Sequence, residues 1–488
     1  MKLWPHQEKA VELAKDGRRG LGLFLPVGTG KTYTAIEILS WHFSQKRNRA
    51  LVLAPPVVLE NWKREILKFS SIKNIFVLSG SAKQRCAVLM RALQSSEEFV
   101  VVTNYEGLLM KDLYELLSTI SFSVFIADEL HYLKNISAKR TKLAVKLSSK
   151  APYRYGLTGT PVLNSPMDLF GQYKVLFGGF PVFKDGKEML LENFKIYGSS
   201  QKPSFLNRFF YDANACMPRH TYFPKWKLLP GAINEINDTV ARTSVYAKKT
   251  DCLKLPPFIQ KRYDVPMTDE QAKAYKEMSK DFITFLNDKA CTASLALTKA
   301  LRLQQIVSGF AVLENNETHH FSSKRPEILQ ELLEELTPEH KVIVWCVFKE
   351  DYGKVRAACK NLNVGFAEIH GGITAKQDEA DRFNNDPSIR VMVANPVAGG
   401  VGINLTASSH SIYFSRSFSF GADTQSQARN YRGGSEIHER IVRIDLVTPG
   451  TIDELVLERL NAKKELSDSI LEADFNNELL QAMKEHFK

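Results

Sequence analysis

Cysteine is sparse in this 488-residue chain and widely spaced: Cys86, Cys216, Cys252, Cys291, Cys346 and Cys359 form no C-x-x-C pair. That spacing argues against a structural zinc or a disulfide framework, so reduced thiols in a cytoplasmic protein are expected. No apolar run approaches the length needed to span a bilayer, and no membrane association is expected. The opening residues, Met1-Lys2-Leu3-Trp4-Pro5-His6-Gln7, lack the basic-then-apolar pattern of an export signal. Low-complexity tracts and short-period repeats are missing too, which leaves ordinary globular domains.

What is present fits that class. Hydrophobic residues make up 44% and charged residues 24% of the chain, so cores can form, and the length leaves room for two to four domains. Lys and Arg number 65 against 54 Asp and Glu, a net charge of +11, which favours a polyanionic partner such as nucleic acid.

Residues 1–175 alternate short apolar runs, such as Leu21–Leu25, Ala50–Leu53, Phe99–Thr103 and Phe122–Ala127, with amphipathic stretches such as Val58–Phe69. The alternation predicts an α/β domain with a parallel sheet. Residues 325–465 repeat it with Lys341–Val347, Gly365–Ile369, Val391–Ala394, Ser411–Phe414 and Val442–Leu446. Between them, residues 176–324 read as a mainly helical insertion, and residues 466–488 as a helical tail. Phe, Tyr, Lys and Arg interleave from Phe180 to Trp226. That segment fits an aromatic core with a solvated basic rim, or a nucleic-acid surface, equally well.

The apolar run Leu21–Leu25 leads into Pro26-Val27-Gly28-Thr29-Gly30-Lys31-Thr32 and then a helical stretch. Glycines there let successive N–H groups face phosphate oxygens, with Lys31 reaching the terminal phosphates and the Thr32 hydroxyl a Mg²⁺ ion. The full G-x-x-x-x-G-K-[ST] pattern fails at its first place, where Leu25 stands. Downstream, the run Phe122–Ala127 ends in Asp128-Glu129-Leu130-His131. A carboxylate at the end of a neighbouring strand can meet a metal-bound phosphate chain, so Asp128 is assigned to Mg²⁺ and Glu129 to the attacking water. An isolated acidic pair more often caps a helix, but this one follows a phosphate loop and precedes Leu157-Thr158-Gly159-Thr160-Pro161.

These segments, taken in order, resemble the Swi/Snf-like DNA-dependent ATPases of helicase superfamily two. Leu3-x-Pro5-His6-Gln7 is similar to an adenine-reading glutamine motif, and Leu51–Pro56 with Asn61-Trp62-x-x-Glu65-Ile66 to a DNA-contacting motif. Val101–Glu106 matches a second such motif, Asp128–His131 the D-E-x-H box, and Leu157–Pro161 with Asn164 the segment L-T-G-T-P-x-x-N. Lys248-Lys249-x-Asp251 and Leu301–Ile306 read like the approach to a second lobe, where His370-Gly371-Gly372, Ala398–Thr406 and Gln425-x-x-x-Arg429-x-x-Arg432 follow. The chain departs from the family at Asn430-Tyr431 and Gly433-Gly434-Ser435, and at Ser415–Phe420 in place of a tryptophan-containing segment. Its compact form resembles bacterial or phage members.

The resemblance implies two RecA-like lobes, with ATP and Mg²⁺ as cofactors and DNA, duplex or branched, as partner; the chain is expected to act as a monomer. It assigns catalysis to Lys31, Glu129, Arg429 and Arg432, the arginines reaching ATP when the cleft between lobes closes. Gln7, Gly28, Thr29, Gly30, Lys31, Thr32, Asp128 and Gly402 would hold the nucleotide, with Thr32 and Asp128 on the metal. Pro55, Thr103, Asn104, His370, Gly371 and Thr406 would touch the DNA backbone. The expected activity is ATP-dependent translocation on double-stranded DNA in replication, recombination or processing. The alternatives are a strand-separating or branch-migrating helicase, and a nucleotide-gated clamp with little hydrolysis.

Overall fold

The computed structural model describes residues 3–95, 98–159, 161–162, 165–184, 187–195, 204–218, 222–247, 252, 254–287, 293–313, 317–397 and 403–469. Gly402, Thr160, Asn164, Cys291, Lys248, Lys249 and Asp251, all named above, lie outside those residues, as does the tail beyond residue 469. The chain divides into two compact units, with Cys252 the last residue of the main stretch of the first.

The first unit carries β1 (Gly20–Phe24), β2 (Arg49–Leu53), β3 (Ile75–Leu78), β4 (Phe99–Thr103), β5 (Val124–Asp128) and β6 (Tyr153–Leu157). Two small antiparallel pairs follow, β7 (Phe180–Lys184) with β8 (Lys187–Leu191) and β9 (Phe210–Asp212) with β10 (Trp226–Leu228), and then β11 (Ser244–Tyr246). The main sheet has the order β11-β1-β6-β5-β2-β4-β3, with every neighbour parallel. Helices on a parallel sheet bury both of its faces, which is why β1, β4 and β5 are buried at every position.

The second unit carries β12 (Phe258–Asp264), the pair β13 (Phe310–Val312) and β14 (Thr318–His320), β15 (Val342–Trp345), β16 (Gly365–Ile369), β17 (Ile389–Ala394), β18 (His410–Tyr413) and β19 (Ile441–Val447). Its main sheet, β12-β19-β18-β15-β17-β16, is also all parallel. The α/β fold with two parallel-sheet lobes is therefore as expected.

The middle of the chain departs from the expectation. Residues 176–324 are not one helical insertion: β11 extends the first sheet and β12 the second. The first part belongs to unit one and the rest to unit two, with the helices Ala232–Thr243, Asp269–Asn287 and Ala293–Ser308 shared out accordingly. Aromatic packing explains the first assignment. Phe180, Phe205, Phe209 and Phe210 join the core of unit one, whereas Tyr211, Tyr222 and Phe223 are exposed.

Candidate nucleotide-binding site

Three loops of unit one leave the sheet side by side, because β6 lies between β1 and β5. The register sets Leu23 of β1 opposite Leu157 of β6, and Leu157 opposite Asp128 of β5. Their carboxyl ends are thus level, where open α/β sheets bind ligands.

The loop after β1 turns through left-handed glycines, Gly28 at φ 89° and Gly30 at φ 80°, and delivers the chain into the helix Lys31–Ser44. A side chain at Gly30 would also strike Gln7, whose Nε2 lies 2.2 Å from where its Cβ would be. Gln7 is buried and braces the loop, with Nε2 3.5 Å from the carbonyls of both Thr29 and Gly30. His6 Nε2 is 2.9 Å from the Thr29 carbonyl as well. The Thr29 side chain is wholly buried and donates to the Pro26 carbonyl at 2.8 Å, so it shapes the loop from within. Lys31 Nζ donates to the carbonyls of Leu25 at 2.9 Å and Pro26 at 3.2 Å. Thr32 stands half-exposed in the first helical turn. Next to the loop is a cavity of about 300 Å³ lined by Trp4, Pro5, His6, Tyr246, Ala247 and Cys252.

Asp128 ends β5 and is buried. It accepts from Trp62 Nε1 at 2.9 Å and from the Glu129 N–H at 3.0 Å. Burial, and then the Glu129 charge, push its pKa up to about 6 against the opposing Trp62 bond and Lys31 charge. Glu129 adopts φ 52° and ψ 54°, a left-handed conformation uncommon outside glycine. It lies 3.3 Å from His131 Nδ1, which is also 3.2 Å from Thr158 Oγ1 after β6. His131 thus links the acidic turn to the Thr158 segment. Helix Asp168–Phe177 clamps this turn from outside: a Cβ at Gly171 would lie 2.4 Å from the Leu133 carbonyl, so only glycine lets the backbones meet. The oxygen donors on hand, the Thr32 hydroxyl and the Asp128 carboxylate, suit a hard divalent cation.

Some predicted DNA contacts are placed differently. Thr103 is wholly buried and Asn104 nearly so. Asn104 Oδ1 accepts from Arg85 Nη1 at 2.5 Å and from the Gly107 N–H at 3.2 Å, capping the turn Tyr105–Leu109. Arg85 Nη1 also lies 3.4 Å from Thr103 Oγ1, so both side chains are engaged within the unit. Pro55 is buried, whereas the adjoining Pro56 and Val57 are exposed. In unit two, Gly371 is exposed and His370 stacks on Tyr352 with centroids 4.6 Å apart. Thr406 precedes β18 while His370 and Gly371 follow β16, so these contacts flank opposite ends of parallel strands.

Arg429, expected as a finger on closure, is held within unit two. It is 3% exposed, donates to the carbonyls of Gln425 and Ile403, and its own carbonyl accepts from the Leu405 N–H. It fastens the 403–405 segment, whereas Arg432 is half-exposed. The bond from Trp62 to Asp128 leaves no signal in the hydrophobic pattern.

Comparison with known proteins gives concordant matches. The model of the SNF2-related domain matches residues 6–312, and that of the helicase conserved C-terminal domain matches residues 324–434. An uncharacterized ATP-dependent helicase of Mycoplasma genitalium is 26% identical over 475 residues, covering 96% of this chain and 42% of that protein. This chain therefore spans less than half the length of that relative. A putative protein of Acyrthosiphon pisum secondary endosymbiont phage 1 is 28% identical, covering 96% of this chain and 98% of its own length. A Sulfolobus solfataricus SWI2/SNF2 ATPase core in complex with double-stranded DNA is 23% identical and aligns over 99% of this chain and 95% of that one, with a TM-score of 0.43.

Proposed function

We propose that this chain, which belongs to the SNF2-related domain family, hydrolyses ATP to translocate on double-stranded DNA, in replication, recombination or processing. One observation carries the reading. The level ends of β1, β6 and β5 bring the phosphate loop, Thr158 and the Asp128-Glu129 pair together in one unit.

On this reading Gly28–Thr32 takes the phosphates on backbone N–H groups, and Lys31 exchanges its carbonyl partners for phosphate oxygens. The purine enters the cavity beside Trp4 and His6, with Gln7 holding the loop in shape. Thr32 and Asp128 would hold the Mg²⁺ that accompanies ATP, whose charge would offset that of the phosphates. Glu129 orients and deprotonates the attacking water, while His131 keeps Glu129 in register with Thr158. Arg432 supplies positive charge to the transferred phosphate, and Arg429 keeps the 403–405 segment in place for it. The loops at Pro55-Pro56, His370-Gly371 and Thr406 take DNA phosphates without reading bases.

The test is ATPase activity with duplex DNA, with RNA and with neither. Stimulation by duplex above RNA is expected, and an unchanged rate overturns the reading. A triplex-displacement assay beside a fork-unwinding assay separates translocation from strand separation.

A further inference from the structure

The helix Lys139–Ser148 of unit one carries a row of charge that the mechanism does not use. Thr141, Ala144, Leu147 and Ser148 are its buried positions. Lys139, Lys142 and Lys146 are exposed, and Lys150, just past the last turn, is exposed too. Steps of three, four and four residues keep these ammonium groups along one face, over about 16 Å. The stretch 139–150 contains no acid. Among the described residues no carboxylate pairs with Lys139, Lys142 or Lys146.

The start of this helix is not built for stability. Its N-cap, Ala138, offers no side-chain acceptor, and the first turn holds no acid. Lys139 and Arg140 stand there instead, where cations oppose the helix dipole and a carboxylate would be favoured. Arg140 is drawn toward Glu106, 3.5 Å away, but Lys139 has no such partner. A local rule broken without a packing gain points to function. The helix also has a definite course. It joins the parallel neighbours β5 and β6, so it runs back from the carboxyl edge of the sheet to the amino edge. Through Arg140 and Glu106 its first turn stands beside the turn Tyr105–Leu109, and the lysines lead away from that edge down one flank. At the far end Lys150 Nζ donates to the Ser118 carbonyl at 2.8 Å.

Such a face suits one kind of partner. Protein interfaces are poor in lysine and centre on apolar or aromatic anchors. Among residues 139–150 no apolar side chain is exposed, and Leu143 and Val145 pack against the core. Flexible cations in a row, with no apolar centre, match a backbone of repeating phosphates. We infer that this lysine row is a second track for the DNA backbone, gripping duplex that runs past the loops at the carboxyl edge. The inference rests on the translocase reading and deepens it by naming where a longer duplex is held.

The test uses the full chain and a labelled blunt duplex, with affinity measured over a series of salt concentrations. Lys142→Gln/Lys146→Gln keeps helix propensity and removes two charges. It should bind about tenfold more weakly at about 0.1 M salt, and its slope of log affinity against log salt should flatten by about 1–2. Lys142→Arg/Lys146→Arg should keep the parent's slope, which separates charge from damage to the helix. As a control, Lys9→Gln/Lys15→Gln removes exposed lysines from the helix Pro5–Lys15, where Glu8 and Glu12 stand among them. That slope should stay as it is. An unchanged slope in Lys142→Gln/Lys146→Gln overturns the inference, in favour of an acidic protein partner. An equal flattening in the control overturns it as well, because overall charge would then suffice, and so does an equal loss in the arginine variant. Failure of the underlying reading looks different, because the parent ATPase would then ignore duplex DNA altogether.

Discussion

Each unit buries an aspartate on an interior parallel strand, and the two are treated in opposite ways. Asp128 of unit one accepts from neutral N–H groups of Trp62 and Glu129, and burial followed by the Glu129 charge lifts its pKa to about 6. Asp445 of unit two accepts from Arg416 at 3.0 Å, from Arg443 at 2.9 and 3.1 Å, and from Gln260 at 2.6 Å. Burial pushes Asp445 up too, but the Arg416 and Arg443 charges outweigh it and hold the carboxyl below its usual range. Arg443 is shared further with Asp423, in two contacts of 2.8 and 2.9 Å. Asp445 is thus neutralised by fixed cations. A carboxylate left under-neutralised at a loop end has charge in reserve for a cation that comes and goes.

The largest effect expected from this contrast is catalytic. Glu129→Gln should lower the DNA-stimulated turnover by roughly 10²–10⁴-fold while ATP still binds, the range for loss of a positioned general base. Steady-state kinetics with a nucleotide-binding titration would show it. Turnover close to the parent's would remove Glu129 from the mechanism.

The opposite member of the comparison should cost stability instead. Asp445→Ala leaves Arg416 and Arg443 buried with less compensation and should destabilise unit two by about 3–5 kcal/mol. Urea unfolding at neutral pH measures this, and a loss below about 1 kcal/mol would mean the network is not needed. Because the Asp445 pKa is depressed, its contribution is present at neutral pH and fades as the solution falls below the ordinary carboxylate range.

How much of this was legible beforehand depended on whether the meaning lay in contiguous residues. Gly28–Thr32, Asp128-Glu129 and Thr158-Gly159 could be read because each sits at the end of an apolar run that announces its strand. The bond from Trp62 to Asp128 could not, since an apolar helix position looks the same whether or not its indole N–H has a buried acceptor. The burial of Thr103 and Asn104 was hidden for a related reason. A strand end reads as surface, but Arg85, from the helix Ala82–Ser95, reaches over and uses their oxygens. β12 was absorbed into a helical region because Phe258–Asp264 is an edge strand, largely exposed, with no apolar run to mark it.

A smaller effect, of reversed sign, is expected at Asp128. Between the ordinary value of 3.8 and the folded value of about 6, the native chain keeps a proton the unfolded chain has lost. Asp128 therefore favours folding at low pH, and that contribution disappears as pH rises through this window. Asp128→Asn removes the buried charge, so the free protein should gain about 1–3 kcal/mol at pH 7 and nothing below about pH 4, while ATPase activity is lost. Thermal unfolding of the nucleotide-free protein across that range measures it. A variant less stable than its parent at pH 7 would show that Asp128 is structural, as Asp445 is.

The smallest expected change probes the link that the hydrophobic pattern hid. Trp62→Phe keeps a ring in the core but removes the N–H that stabilises the Asp128 carboxylate. The loss should be about 1 kcal/mol at pH 7–8 and should shrink toward pH 5, where Asp128 is protonated in either protein. It should vanish at all pH values in an Asp128→Ala background, where no carboxyl remains to receive the bond. A pH-independent loss that survives Asp128→Ala would mean that Trp62 only fills space, and that Asp128 owes its position to the strand end alone.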